Sequence, residues 1–472
     1  MHDQADSAQQ TKSFAPSLST PLDPGKITLA NCKSRRFIFP LLFVFISLSL
    51  INSFYVDKHL SADGVNYFCG ILDNKDFTYI AWSRQFANYL TEWPLVLAVR
   101  FGITDIPILL KWFAFGIYLP YLISFLICIY ALRDENEALL LYFLASMVAI
   151  NLSTDYILAG EHHVMVNMSW PIIFILLRRN ILTLMDGFLL WILLIIFSRL
   201  YESALIPALI CSVICCVRLY HYKSKEQKVI IIGALSLCCI VSAISLYFII
   251  NPRDAANRES FINELIVPFK SPEALAAACF IVVYTIGLIL KNRLIIISAV
   301  SPLIIYALFR LFVDHSVYAV VSFGGRTLSI TLLPVLLVGA ILVWYFKSEL
   351  DRTGILTFVA FIMVMVVGNL YNTNNWKDFR HEVKQLVKTH EGYIPIEETK
   401  LQDNPNHWGW NNTQLGLVWS APRVKAIILN QKNVHWEPFN PRGKLILKNY
   451  LQYDDFFISK TGSPDKGIQL TR

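Results

Sequence analysis

The chain has 472 residues, of which 55% are hydrophobic and 16% charged, with a mean hydropathy of +0.50 and a formal charge of +7. Soluble domains carry about 25% charged residues, so this composition excludes a soluble globular protein and implies a polytopic membrane protein. The positive balance does not indicate nucleic acid, because the basic residues fall in short clusters between apolar runs and form no phosphate-tracking face.

Residues 1–36 are rich in Gln, Ser, Thr and Pro and read as a disordered cytoplasmic tail. The first apolar run starts near Phe37, too far in and too long for a secretory signal peptide, so it is expected to remain as the first anchor. Further apolar runs follow at 107–132, 138–153, 163–177, 181–197, 203–219, 229–250, 274–290, 294–312, 328–346 and 355–371. A span needs roughly 20 residues at 1.5 Å each. The expected fold is therefore an all-α polytopic membrane protein of about eleven transmembrane helices over 37–371. The pairs 138–153 with 163–177, and 181–197 with 203–219, are short unless the polar turns joining them dip into the membrane.

Basic residues set the expected orientation. Lys33, Arg35 and Arg36 precede the first run, Arg133 follows the second, and Arg178 and Arg179 follow the fourth. Then come Arg218, Lys223, Lys225 and Lys228, next Lys291 and Arg293, and last Lys347 and Arg352. Every second connection is the basic one, which places the N-terminus in the cytoplasm and 372–472 outside. Most cysteines, among them Cys128, Cys211, Cys215 and Cys238, lie in or beside apolar runs as small hydrophobes, and none has metal-ligand spacing.

Two external pieces are large. In the loop 56–106, the stretch Phe77 to Phe101 has helical amphipathic spacing with Trp82, Tyr89 and Trp93, which predicts helices lying along the membrane face. The tail 372–472 reads as a small folded external domain. It holds Trp376, Trp408, Trp410, Trp419 and Trp436, indoles that either stack on sugar rings or form a core. A shorter external loop, 251–273, carries Arg253, Asp254, Arg258, Glu259 and Glu264.

Three polar clusters gather on the external side, where polar groups are costly unless used. Asp63, before Gly64 and just past the first anchor, is placed to act as a general base toward a hydroxyl or to sit as a solvated turn aspartate; Asp57 is its local competitor. Glu161, His162 and His163 could bind a metal, relay protons or hold substrate hydroxyls or phosphate, or form a plain interfacial loop. Ser198-Arg199-Leu200-Tyr201-Glu202 offers a guanidinium for a lipid phosphate, or an Arg199–Glu202 pair closing a turn. Gly324-Gly325-Arg326-Thr327 could add a second cation and backbone donors. Paired charges at mid-membrane depth, the mark of transporters, are missing from the runs.

Ser61-Ala62-Asp63-Gly64, Arg84-Gln85-Phe86-Ala87 running to Trp93-Pro94-Leu95, and Ser198 to Glu202 resemble the multi-span glycosyltransferases of the GT-C class. More narrowly, the chain resembles bacterial and phage serotype-converting O-antigen glucosyltransferases. The resemblance implies transfer of a sugar, glucose in this likeness, from a polyprenyl-phosphate carrier to a lipid-linked or growing surface polysaccharide. The reaction would take place on the periplasmic side of a bacterial inner membrane, with no metal and no cofactor. It implies Asp63 as the base, Glu161 near the acceptor, and Arg199 and Arg326 at the donor phosphate, with His162, His163, Tyr201, Glu202, Trp408 and Trp410 also binding substrate. The family's first loop often shows an acidic pair; here Asp63 is followed by Gly64, so Asp57 stays open as the base. An O-antigen polymerase and a lipid-linked sugar flippase or transporter are the competing readings.

Overall fold

The computed structural model describes residues 32–61, 63–78, 82–133, 138–152, 161–178, 181–222, 224–251, 272–312, 324–348, 351–404, 411–429, 445–454 and 457. These residues are mostly helical, with two short strand pairs. The chain forms two compact units, 1–44 and Phe45–Arg472. Of the first, residues 32–44 are helical; everything below concerns the second.

Each apolar run forms helix over most of its length. In chain order the helices are α1 (Cys32–Tyr55), α2 (Asp63–Asn74), α3 (Gln85–Arg100), α4 (Ile106–Leu132), α5 (Ala138–Ser146) and α6 (Glu161–Leu177). Then come α7 (Leu184–Phe197), α8 (Leu205–His221), α9 (Lys225–Ile250), α10 (Pro272–Leu290), α11 (Arg293–Ser298) and α12 (Ser301–Phe312). The last are α13 (Gly324–Tyr345), α14 (Arg352–Thr389) and α15 (Asn412–Ser420). The run 294–312 is broken between α11 and α12, and α5 continues into a wider π-type turn over Met147–Leu152. Among the described residues, α4, α8 with its preceding turn, α9 and α14 are long and apolar enough to cross a membrane. Helices of that length and composition make this a membrane protein.

Polar residues fix where the helices start. Asp105 accepts from the Ile108 N–H at 2.9 Å and caps α4, and Asp351 does the same for α14 through Gly354 N at 2.7 Å. Thr183 and Asp186 cap α7 reciprocally, Asp186 N to Thr183 Oγ1 at 3.1 Å and Thr183 N to Asp186 Oδ2 at 2.9 Å. Asp186 also receives Arg178 at 2.6 Å and Tyr130 at 3.0 Å, so a buried carboxylate has a full set of donors.

Within the stretch Phe77 to Phe101 the expected helix is present as α3, entered through a single turn at Trp82–Arg84, while α2 before it was not expected. α3 lies hard against α4: a Cβ on Gly116 would stand 2.0 Å from the Thr91 carbonyl oxygen. Only glycine permits that approach.

The expected boundary at 371 falls inside α14, which runs unbroken to Thr389. Beyond it, Gly392 takes φ 83, a left-handed conformation suited to turning the chain out of a helix. Strand β1 (Gly392–Pro395) pairs in parallel with β3 (Ala426–Leu429), Tyr393 opposite Ile427, with α15 as the crossover. β2 (Arg423–Val424) pairs likewise with β4 (Gln452–Tyr453). Among the described residues, the tail shares its core with the first loop. Trp376, Phe379 and Val383 of α14 and Leu415 of α15 join one apolar cluster with Val65, Phe68 and Leu72 of α2 and Leu95 of α3. Trp376 Nε1 donates to the Val56 carbonyl at 3.0 Å, and Leu447 N to Asp73 at 2.8 Å. Tail and first loop are one packed body.

Candidate functional site

Asp63 opens α2, and Tyr67 follows one turn later on the same face. The Tyr67 hydroxyl donates to Glu161 Oε1 at 2.8 Å. Glu161 opens α6, where the positive end of a helix favours a carboxylate. Its other oxygen lies 3.9 Å from Arg84 Nη1. Arg84 turns its Nε to Glu202 Oε1 at 3.1 Å, and Ser83 Oγ donates to that same oxygen at 2.8 Å. The guanidinium also lies over the Tyr201 ring, 4.7 Å from its centre. One arginine thus ties together two glutamates that stand at separate inter-helix turns.

Arg199 sits on the rim of this group. Its Nε donates to the Trp82 carbonyl at 3.0 Å, its Nη2 reaches Gln85, and its charge rests 3.9 Å from the Trp82 ring centre. The Arg199 carbonyl accepts from Phe86 N at 3.2 Å. The segment 82–86 is therefore clasped to the turn 198–202 from both backbone and side chain. His162 stands 5.9 Å from Tyr201 and 3.9 Å from His163, ring centre to ring centre.

A fourth carboxylate, Glu92 of α3, is buried behind the group. It accepts from Thr78 N at 2.7 Å and from the Thr78 hydroxyl, while Asn88 Nδ2 holds the Thr78 carbonyl at 2.8 Å. Burial pushes the Glu92 carboxyl up to about 8; the Thr78 hydrogen bonds oppose this and the charge of Glu161 adds to it. Burial first, then the charges of Glu161 and Asp63, raises the Tyr67 phenol well above its usual value, so it remains a donor to Glu161. Burial works against the charge on Arg84, but Tyr201, Glu202 and Glu161 outweigh it and keep the guanidinium ionised.

Of the residues singled out by sequence, Asp63, Glu161, His162, His163, Tyr201, Glu202 and Arg199 belong to this connected group, Asp63 through its charge on Tyr67. Asp57 lies elsewhere. It is buried in a left-handed conformation, φ 57, with Oδ2 at 2.6 Å from Arg380 Nη2 and Oδ1 at 3.5 Å from Lys111 Nζ. Both of its oxygens are spent on joining the end of α1 to α4 and α14. Glu202, expected to close a turn with Arg199, takes Arg84 and Ser83. Arg326 falls in the first turn of α13, with its side chain outside the described residues, as are Trp408, Trp410, Trp436 and the loop 252–271. Trp376 and Trp419 pack edge to face at 5.8 Å in the shared core.

Sequence reading missed Tyr67, Ser83, Arg84 and Glu92 as site residues. Arg84 carried one usable signal: no acidic residue lies within four positions of it, so its partner had to come from afar. Among the described residues, no group of three or more His, Cys, Asp or Glu is placed to hold a metal ion. No protein-family model, curated protein or solved structure matches the chain.

Proposed function

We propose that the protein transfers a sugar from a polyprenyl-phosphate carrier to a lipid-linked or growing surface polysaccharide, on the periplasmic side of a bacterial inner membrane. In this reading it is a GT-C-like enzyme of about eleven spans, with the N-terminus in the cytoplasm and the tail outside. One observation carries it: Arg84 joins Glu161 and Glu202 from distant stretches, with Arg199 clasped to the segment 82–86 beside them and Asp63 one turn before Tyr67, the donor to Glu161.

Sugar transfer from a lipid phosphate needs a base for the acceptor hydroxyl and a cation for the departing phosphate. Asp63 is half-buried at the start of its helix, where an acceptor can reach it. It takes the hydroxyl proton as the acceptor oxygen bonds to the sugar's anomeric carbon. The bond from that carbon to the phosphate oxygen breaks, and the phosphate leaves with the electron pair toward Arg199. Arg84 is engaged on both sides by glutamates, so it holds the site in shape. Glu161 and His162 stand beside Arg84 and Tyr201, where hydroxyls of the acceptor would bind.

The test uses membrane vesicles carrying the full chain, a labelled polyprenyl-phosphate sugar and lipid-linked acceptor. Asp63→Asn and Arg199→Ala should each lower transfer by about 10²-fold or more, the lower end of what a general base or an oxyanion donor contributes, with unchanged membrane insertion. Full transfer in both inserted variants would reject the site.

A further inference from the structure

Around Asp57, at the end of α4 opposite Arg133, positive charge collects in excess. Lys111 and Arg380 both close on the one Asp57 carboxylate, at 3.5 and 2.6 Å, and Lys384 follows Arg380 by one turn of α14, near enough to feel the charges of both. A single carboxylate does not balance them. Arg380 gives Nη2 to Asp57 and Nη1 to the Tyr55 carbonyl at 3.5 Å, while its buried Nε has no hydrogen-bond partner. The Lys111 side chain is 42% exposed, its ammonium lying 4.8 Å from the centre of the Phe54 ring and 5.5 Å from that of Tyr55.

The setting is that of a lipid headgroup. Tyr55, Trp112 and Phe115 are exposed next to Lys111 and give an aromatic fringe of the kind that marks the membrane–water boundary. Arg133, at the far end of the same helix, lies about 33 Å from Lys111 at 1.5 Å per residue. The alternation of basic connections puts that far end in the cytoplasm, so this cluster stands where a membrane protein normally carries few cations. A surplus of positive charge on that side calls for an anion, and the neighbouring apolar rings suit one that arrives with acyl chains.

We propose that Lys111, Arg380 and Lys384 form a binding site for the phosphate of a membrane phospholipid, sharing no residue with the group around Glu161. Arg380 and the two lysines supply positive charge, and Asp57 holds Arg380 in place. The site does not depend on the proposed sugar transfer.

Full-length protein in neutral detergent is titrated with phosphatidylglycerol, phosphatidylcholine or inorganic phosphate, and bound molecules are counted by native mass spectrometry. Phosphatidylglycerol should bind at least about tenfold tighter than phosphatidylcholine, since only the former keeps a net negative headgroup. The double variant K111Q/K384Q should bind phosphatidylglycerol about thirtyfold more weakly, at roughly fivefold per lysine near a membrane surface. Lys384→Gln alone disrupts no ion pair among the described residues and should lose about fivefold, which keeps the test readable if the double variant fails to fold. Equal binding of the two lipids, or unchanged phosphatidylglycerol affinity in Lys384→Gln, overturns the proposal. Inorganic phosphate binding as tightly as the lipid also overturns it, because the acyl chains would then contribute nothing.

Discussion

At the scale of single residues, Arg84 and Glu92 show how burial sets the behaviour of a charge. Arg84 can remain ionised out of water because two carboxylates face it. Among the described residues Glu92 has Thr78 alone as a donor, so burial wins and its carboxyl rises to about 8. An unfolded glutamate titrates near 4.5. Below that value both states are protonated and the folded protein has its full stability. Between 4.5 and about 8 the unfolded chain has lost the proton and the folded chain still holds it, so stability falls as pH rises. The slope for one proton is about 1.4 kcal/mol per pH unit. The thermal midpoint of the wild type should accordingly drop from pH 5 to pH 8. Glu92→Gln, neutral at every pH, should flatten that part of the profile; identical slopes in the two proteins would refute the assignment.

At the scale of elements, the α3–α4 contact decides where Arg84 is held, because α3 begins at the next residue, Gln85. The contact depends on the missing side chain of Gly116, whose Cβ would meet both the Thr91 carbonyl at 2.0 Å and Pro94 Cδ at 2.9 Å. A backbone oxygen cannot swing aside. Gly116→Ala should push α3 off α4 and lower stability by about 1–3 kcal/mol, as overpacking does. Thermal unfolding of the purified variant checks this, and an unchanged midpoint would show that the helices do not meet there. The helices themselves were legible in the sequence, since each apolar run is long enough to demand internal backbone hydrogen bonds. The break between α11 and α12 also had a signal, Ser298 and Ser301-Pro302 with the proline in the first turn of α12, but the apolar run reads straight through it. The site was legible as three polar clusters but not as one. Glu202 meets Arg84 across 118 positions, a distance over which local spacing carries no information.

At the scale of the molecule, the described residues of the segment 56–106 and of the tail pack as a unit. The tail's composition suggested a folded domain, and its two described indoles, Trp376 and Trp419, pack in a core shared with α2 and α3. Trp376 is fully buried, with its N–H on the Val56 carbonyl, so Trp376→Ala removes a large core side chain and a hydrogen bond together. A loss of about 3–5 kcal/mol is expected. Limited proteolysis should then cut within 372–472 well before it does in the wild type; equal cleavage rates would mean that the tail stands without this anchor. Asp57 has the same character. Its carboxylate was visible in the sequence as a rival base, but Arg380 lies 323 positions further on and only the fold could show that the two are paired.

The 38 residues of α14 make a rod about 57 Å long at 1.5 Å per residue, nearly twice the roughly 30 Å of bilayer hydrocarbon. Such a rod leaves no slack: where α15 sits is dictated by where this helix ends. Lengthening it by one turn would shift α15 by about 5 Å and tear it from its seat on α2.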